Sequence, residues 1–177
     1  MSDYSDLLVY LDGEFVAWND ARIHVFSPAV KYGAAVFEGI RGYWNAEKET
    51  MYLFRLEEHM RRLELSQRIM RFSQIVPAET MIEATVELMR KNAFRSSVHI
   101  RPTVYMAGFG ESSAQEPVGT FVTAIPRDTP KKVQVGCRAQ ISSWQRIADN
   151  VMPARAKANA NYNNSRYAGI QAAKKTY

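Results

Sequence analysis

Cysteine is nearly missing from this chain: among 177 residues, only Cys137 carries a thiol. A single thiol excludes an intrachain disulfide and a multi-cysteine metal site, and it fits a reducing cytoplasm. Long apolar runs are missing too. The longest charge-free stretch is Pro117 to Pro126, well short of the ~18 residues a membrane span requires. The N-terminus carries Asp3 and Asp6 where a signal peptide has basic residues ahead of an apolar run, so a cytoplasmic location is expected. Histidine is scarce. His24, His59 and His99 lie far apart and never at the i, i+4 spacing of helix-borne ligands, so no metal is expected. Gly108-Phe109-Gly110 lacks the remainder of a dinucleotide or phosphate-loop fingerprint, and no Gly-x-Ser-x-Gly elbow occurs.

What is present is the composition of a folded protein. With 46% hydrophobic and 11% aromatic residues, the chain is too apolar to stay disordered. Its length suits one domain, or one domain and part of a second. The net charge of +5 is unevenly spread. Residues 1–130 hold 14 basic and 17 acidic residues, whereas 131–177 hold nine basic residues against Asp149 alone. Such a basic segment can serve a nucleic acid or an anionic ligand, or it can belong to a domain whose acidic residues come later. Its cations at Lys131, Arg138, Arg146, Lys157 and Lys174 are dispersed and lack an RNA-binding aromatic motif, so no nucleic-acid partner is expected.

The pattern along the chain predicts an α+β fold. Residues 7–18 place apolar runs on both sides of Asp12-Gly13, a strong hairpin signal. Val36 to Trp44 and Thr50 to Phe54 read as a second strand pair. From Leu56 to Phe72 the apolar positions shift to helical spacing, and Pro77 opens a second helix over 78–92. Two strand-like runs follow, 98–106 and 119–125. Residues 126–132 hold two prolines and no periodicity, and are expected to connect two domains. Val133 to Ser143 is expected to be the first strand of the second unit, and Tyr162 to Thr176 its first helix.

Lys157 stands out within Ala154-Arg155-Ala156-Lys157-Ala158-Asn159-Ala160-Asn161-Tyr162. A solvated surface lysine needs no run of small neighbours. A lysine that must approach a flat cofactor and lose its proton does, because small residues leave room and burial disfavours the charged amine. A surface lysine at a strand-to-helix turn remains the alternative on these residues alone.

A series of short blocks resembles the fold-type IV pyridoxal-phosphate aminotransferases, and among them the branched-chain aminotransferases. The blocks are Asp12-Gly13-Glu14, His24-Val25, Tyr32-Gly33, Val36-Phe37-Glu38-Gly39-Ile40-Arg41, Phe54-Arg55, Glu58-His59-Met60-Arg61-Arg62-Leu63, Ile100-Arg101-Pro102, Ser142-Ser143-Trp144, and Ala156-Lys157 with Asn161-Tyr162. The resemblance implies a small two-layer N-terminal domain over 1–125 and the beginning of a larger, β-rich cofactor-binding domain over 133–177. It implies pyridoxal 5′-phosphate held as a Schiff base by Lys157, with Tyr162 on the cofactor's phenolic oxygen and Arg62 on its phosphate. Phe37, Gly39 and Arg101 would line the substrate pocket, Arg101 taking the distal carboxylate of glutamate or 2-oxoglutarate. Tyr32 would reach a neighbouring subunit's site, which implies at least a homodimer. The reaction implied is amino transfer between a branched-chain, or broader hydrophobic, amino acid and 2-oxoglutarate.

Two residues depart from that pattern. His99 stands where a tyrosine is usual, and Arg127 where an aromatic is common. Both bear on substrate choice, and D-amino-acid or (R)-amine transaminases and aminodeoxychorismate lyases share the scaffold. Only 20 residues follow Lys157, so the carboxylate that pairs with the cofactor's ring nitrogen is expected in sequence beyond Tyr177, and the chain is expected to be one segment of a longer protein.

Overall fold

The computed structural model describes residues 4–130 and 132–174. Seven strands form one antiparallel sheet: β1 (Leu8–Leu11), β2 (Glu14–Ala17), β3 (Ala35–Phe37), β4 (Ile40–Asn45), β5 (Thr50–Leu53), β6 (Val98–Met106) and β7 (Val118–Pro126), in the order β2-β1-β7-β6-β4-β5, with β3 also pairing β6. The first hairpin turns at Asp12-Gly13, where both residues take positive φ (48° and 99°). That backbone matches the right-handed twist of the flanking strands and costs glycine little. Asp12 then ties the turn to the sheet, its carboxylate accepting from Thr120 N at 2.6 Å and Tyr105 Oη at 2.9 Å.

A short helix α1 (Pro28–Tyr32) precedes β3 and ends at Gly33, whose left-handed φ of 71° caps it. Two longer helices, α2 (Leu56–Ile69) and α3 (Ala78–Asn92), pack on one face of the sheet. Each buries residues at the 3–4 spacing of a helix face: Met60, Leu63 and Gln67 on α2, and Met81, Ala84, Thr85 and Leu88 on α3. Gln67 is fully buried, yet its amide is satisfied twice by the Val76 backbone, at 2.8 and 3.0 Å. That pair fixes the turn between the helices. The sheet contributes Val36, Ile40, Val98, Ile100, Val104, Val122 and Ala124 to the same core.

The last elements are α4 (Lys132–Val135) and α5 (Asn161–Lys174). α5 agrees with the helix expected over 162–176 as far as Lys174; Lys175 and Thr176 lie outside the described residues. The strand expected at Val133–Ser143 does not form: its start lies in α4 and no strand follows among the described residues. A strand needs a neighbour to satisfy its backbone, and here Val133, Val135 and Ile141 are 69%, 82% and 100% exposed. The run expected as one strand over 36–44 is also divided, into β3 and β4, for a reason given below.

Candidate active site

Strand alternation sets up the site. Along β3 and β4, Val36, Glu38 and Ile40 face the helices and are all fully buried, so Phe37, Gly39 and Arg41 face the other side. β3 and β4 share one register along β6 and are separated opposite Pro102. Glu38 N donates to Pro102 O at 2.9 Å, but proline has no N–H to return the bond. The ladder breaks there for that reason.

The Lys157 segment is sewn to the free edge of β3. Phe37 N donates to Lys157 O at 3.0 Å and Asn159 N to Ala35 O at 2.9 Å, with Val36 and Ala158 forming an isolated bridge. Lys157 N donates to Ser66 Oγ on α2 at 3.2 Å. Ala156 and Ala158 are 3% and 0% exposed and belong to the core formed by residues of 36–124. The small side chains therefore have a packing reason: they let this edge lie against α2. Lys157, between them, projects to the opposite face, half-buried. The buried Asn161 side chain closes the following turn by donating to Pro153 O and Ala156 O at 3.2 and 3.1 Å. This brings Tyr162 round to Lys157, and Nζ donates to Tyr162 Oη at 2.5 Å. The Phe37 ring stands edge-on to Tyr162, with centroids 5.0 Å apart, and lies 4.8 Å from Lys157 Nζ.

Beside Lys157 and Tyr162 is a cavity of about 180 Å³ that Arg62, Arg146 and Arg155 also line. Arg62 is aimed from below by a buried carboxylate. Its Nε and Nη2 donate to Glu38 Oε1 and Oε2 at 2.6 and 2.7 Å, and His59 Nδ1 lies 2.9 Å from Oε2. The Glu38 side chain is fully buried while that of Arg62 is about half exposed, so the guanidinium spans from core to cavity. Burial alone would raise the Glu38 carboxyl, but the hydrogen bonds and charges of Arg62 and His59 outweigh it and hold the group below its ordinary 4.5. The same fork raises Arg62.

A carboxyl depressed on folding stabilises the fold above its unfolded value and loses that contribution as pH falls through its folded value. Stability is therefore expected to decline below about pH 4.5, and Glu38→Gln to flatten the decline. Denaturant midpoints measured from pH 7 to 3 for both proteins check this; parallel curves would refute it.

The structure thus brings together Lys157, Tyr162, Arg62 and Phe37 of the residues expected from sequence. Arg101 joins them: its guanidinium lies 3.9 Å from the Phe37 ring centre and Nη2 is 3.5 Å from Asn159 Oδ1. Burial lowers Arg101. Gly39 sits under His99, whose Nε2 would lie 3.4 Å from a Cβ added there, in van der Waals contact. Tyr32 is apart from this group; its hydroxyl donates to Glu111 Oε2 at 2.9 Å. Glu38, His59 and Ser66 received no role from sequence. A glutamate between two core residues in Val36-Glu38-Ile40 was the available signal, because a buried carboxylate demands a partner.

The Amino-transferase class IV family model matches residues 35–177. The chain belongs to the class IV aminotransferases. It is 36% identical over 176 residues to the branched-chain-amino-acid aminotransferase of Escherichia coli (strain K12), covering 96% of this chain and 56% of the relative. Among solved structures, it is similar to the branched-chain aminotransferase from Thermoproteus uzoniensis with norvaline, with a TM-score of 0.88, 38% identity, and coverage of 97% and 57%. It also matches the holo-form enzyme of Thermobaculum terrenum, with a TM-score of 0.84, 34% identity, and coverage of 99% and 58%. This class IV chain accordingly spans about half the length of the relatives it matches. The α+β fold, with helices on one face of an antiparallel sheet, is the one these neighbours share over the matched region.

Proposed function

We propose that this chain carries the lysine half of a pyridoxal-phosphate-dependent transaminase active site, acting between a branched-chain or broader hydrophobic amino acid and 2-oxoglutarate. The observation that carries the reading is Lys157 Nζ at 2.5 Å from Tyr162 Oη beside a cavity walled by Arg62, Arg146 and Arg155. The donor set fits the cofactor. An amine suits its aldehyde, a phenol suits its ring oxygen, and guanidiniums suit a phosphate dianion. Similar structures include a PLP-form and a pyridoxamine 5′-phosphate complex of branched-chain aminotransferases.

Bound here, pyridoxal phosphate would supply an electron-withdrawing ring that stabilises negative charge at the substrate Cα. Lys157 Nζ would hold the cofactor and, once released, carry a proton between the substrate Cα and the cofactor carbon two bonds away. One amine can do both because its backbone is fixed on each side by Phe37, Ser66 and Ala35 while Nζ, at the end of a flexible side chain, is directed by Tyr162 Oη. Tyr162 Oη would keep Nζ directed at that point, and Arg62, braced by Glu38, would anchor the phosphate. Phe37 would form one wall of the substrate pocket, with Gly39 leaving space and Arg101 meeting a distal carboxylate.

A homodimer is part of the proposal. Val25, Phe26, Val30 and Phe109 are 75%, 54%, 56% and 70% exposed around α1, next to Tyr32, and such a patch suits burial against a second copy. The expected test result is a pyridoxyl group on the Lys157 peptide after the protein is treated with pyridoxal phosphate and borohydride and mapped by mass spectrometry. No adduct, together with salt-sensitive binding to an oligonucleotide, would replace this reading with a basic binding module.

A further inference from the structure

The face that carries Phe37 and Lys157 continues across the sheet into a group of cations. His99 lies between Arg41, its register partner on β4, and Arg101, two residues along β6 and on the same face. Arg127, just past β7, is bound to Ser97 O through its own N–H, and its carbonyl accepts from Arg41 Nη2 at 2.6 Å. Among the described residues, none of Arg41, Arg101, Arg127 and Lys157 takes part in an ion pair. The nearby acid, Glu38, points to the other face and is spent on Arg62 and His59.

Like charges gathered without counter-charge repel one another, and an arriving anion relieves the repulsion. An aliphatic side chain placed here would strip water from guanidiniums and return no hydrogen bond. We infer that Arg41, His99 and Arg127 join Arg101 in a carboxylate-selecting face, so that the dicarboxylic member of the substrate pair is the tightly selected one and the hydrophobic member is held loosely. His99 suits this position. Burial lowers its imidazole, and Arg127, Arg41, Arg101 and Lys157 lower it further, so it can stand among the guanidiniums uncharged and donate a hydrogen bond to an arriving carboxylate without adding to their repulsion.

The inference rests on the transaminase reading, and the experiment separates the two. Glutarate and 4-methylvalerate are titrated calorimetrically, at fixed salt, into protein treated with pyridoxal phosphate, while borohydride mapping reports whether Lys157 is modified. Glutarate is expected to bind at least about tenfold tighter, as charge-assisted bonds to guanidiniums require. The double variant His99→Phe/Arg127→Ala should remove most of that preference, whereas Arg138→Ala, an exposed cation elsewhere, should leave it intact. Lys157 modified with no glutarate preference overturns the inference and leaves the transaminase reading standing. An equal loss of preference in Arg138→Ala also overturns it, since general charge would then explain the binding. An unmodified Lys157 overturns the transaminase reading and this assignment with it.

Discussion

Lys157→Ala is expected to abolish the borohydride-trapped pyridoxyl adduct and to lower the rate of the amino-acid half-reaction by about 10²–10⁴-fold, the range that a positioned proton-transfer group supplies. The fold should survive. The backbone of residue 157 bonds to Ser66 and Phe37 through its own N–H and C=O, and the neighbouring alanines carry the packing. Loss of adduct and rate at unchanged thermal stability is therefore the signature. Added methylamine should restore part of the rate, because the missing group is an amine and the space it filled is left open. A variant that keeps its adduct would place the reactive amine elsewhere in the basic segment.

Arg62→Ala should be the most destabilising change near the site. It removes the bidentate partner of a carboxylate that is fully buried, and breaking such a pair on one side costs about 3–5 kcal/mol, or about 10 °C in Tm for a chain of this size. The surviving half decides the size of the effect. Arg62 is half exposed and could hydrate, whereas Glu38 could not. Glu38→Gln alone should therefore cost less, and Glu38→Gln combined with Arg62→Ala should recover part of the stability lost in Arg62→Ala. Cofactor affinity is expected to follow a different order: weakened in Glu38→Gln, where the fork is loosened, and weakest in both proteins that lack Arg62. A double-mutant cycle read by thermal melts and by cofactor titration tests both orders. Additive stabilities would show that Glu38 does not hold Arg62.

Much of this was legible from local patterns. Asp12-Gly13 between apolar runs specifies a hairpin, and α2 and α3 follow from apolar spacing that only a helix can place on one side. The unusual run of small residues around Lys157 was visible as well, but its reason was not. Read alone, it suggested room for a cofactor; in three dimensions Ala156 and Ala158 are core residues that let an edge segment lie on α2. The failed strand at Val133–Ser143 marks the limit of such reading, since an apolar run becomes a strand only beside a partner.

By itself, the sequence determined most of the strands and the long helices, the lack of a disulfide closed within these 177 residues, and the residue types able to hold an anion and an amine-reactive group. Residue type and spacing act locally, and those properties depend on little else. The tertiary structure decided which of these residues meet. It paired Glu38 with Arg62 across 24 positions, divided a strand opposite Pro102, and carried Lys157 onto the edge of β3, a strand more than a hundred residues earlier in the chain. It also gathered Arg41, His99, Arg101 and Arg127 on one face, though they come from three parts of the chain. Contacts between distant residues depend on how strands pair and where helices cover them, and only the packed sheet carries that information.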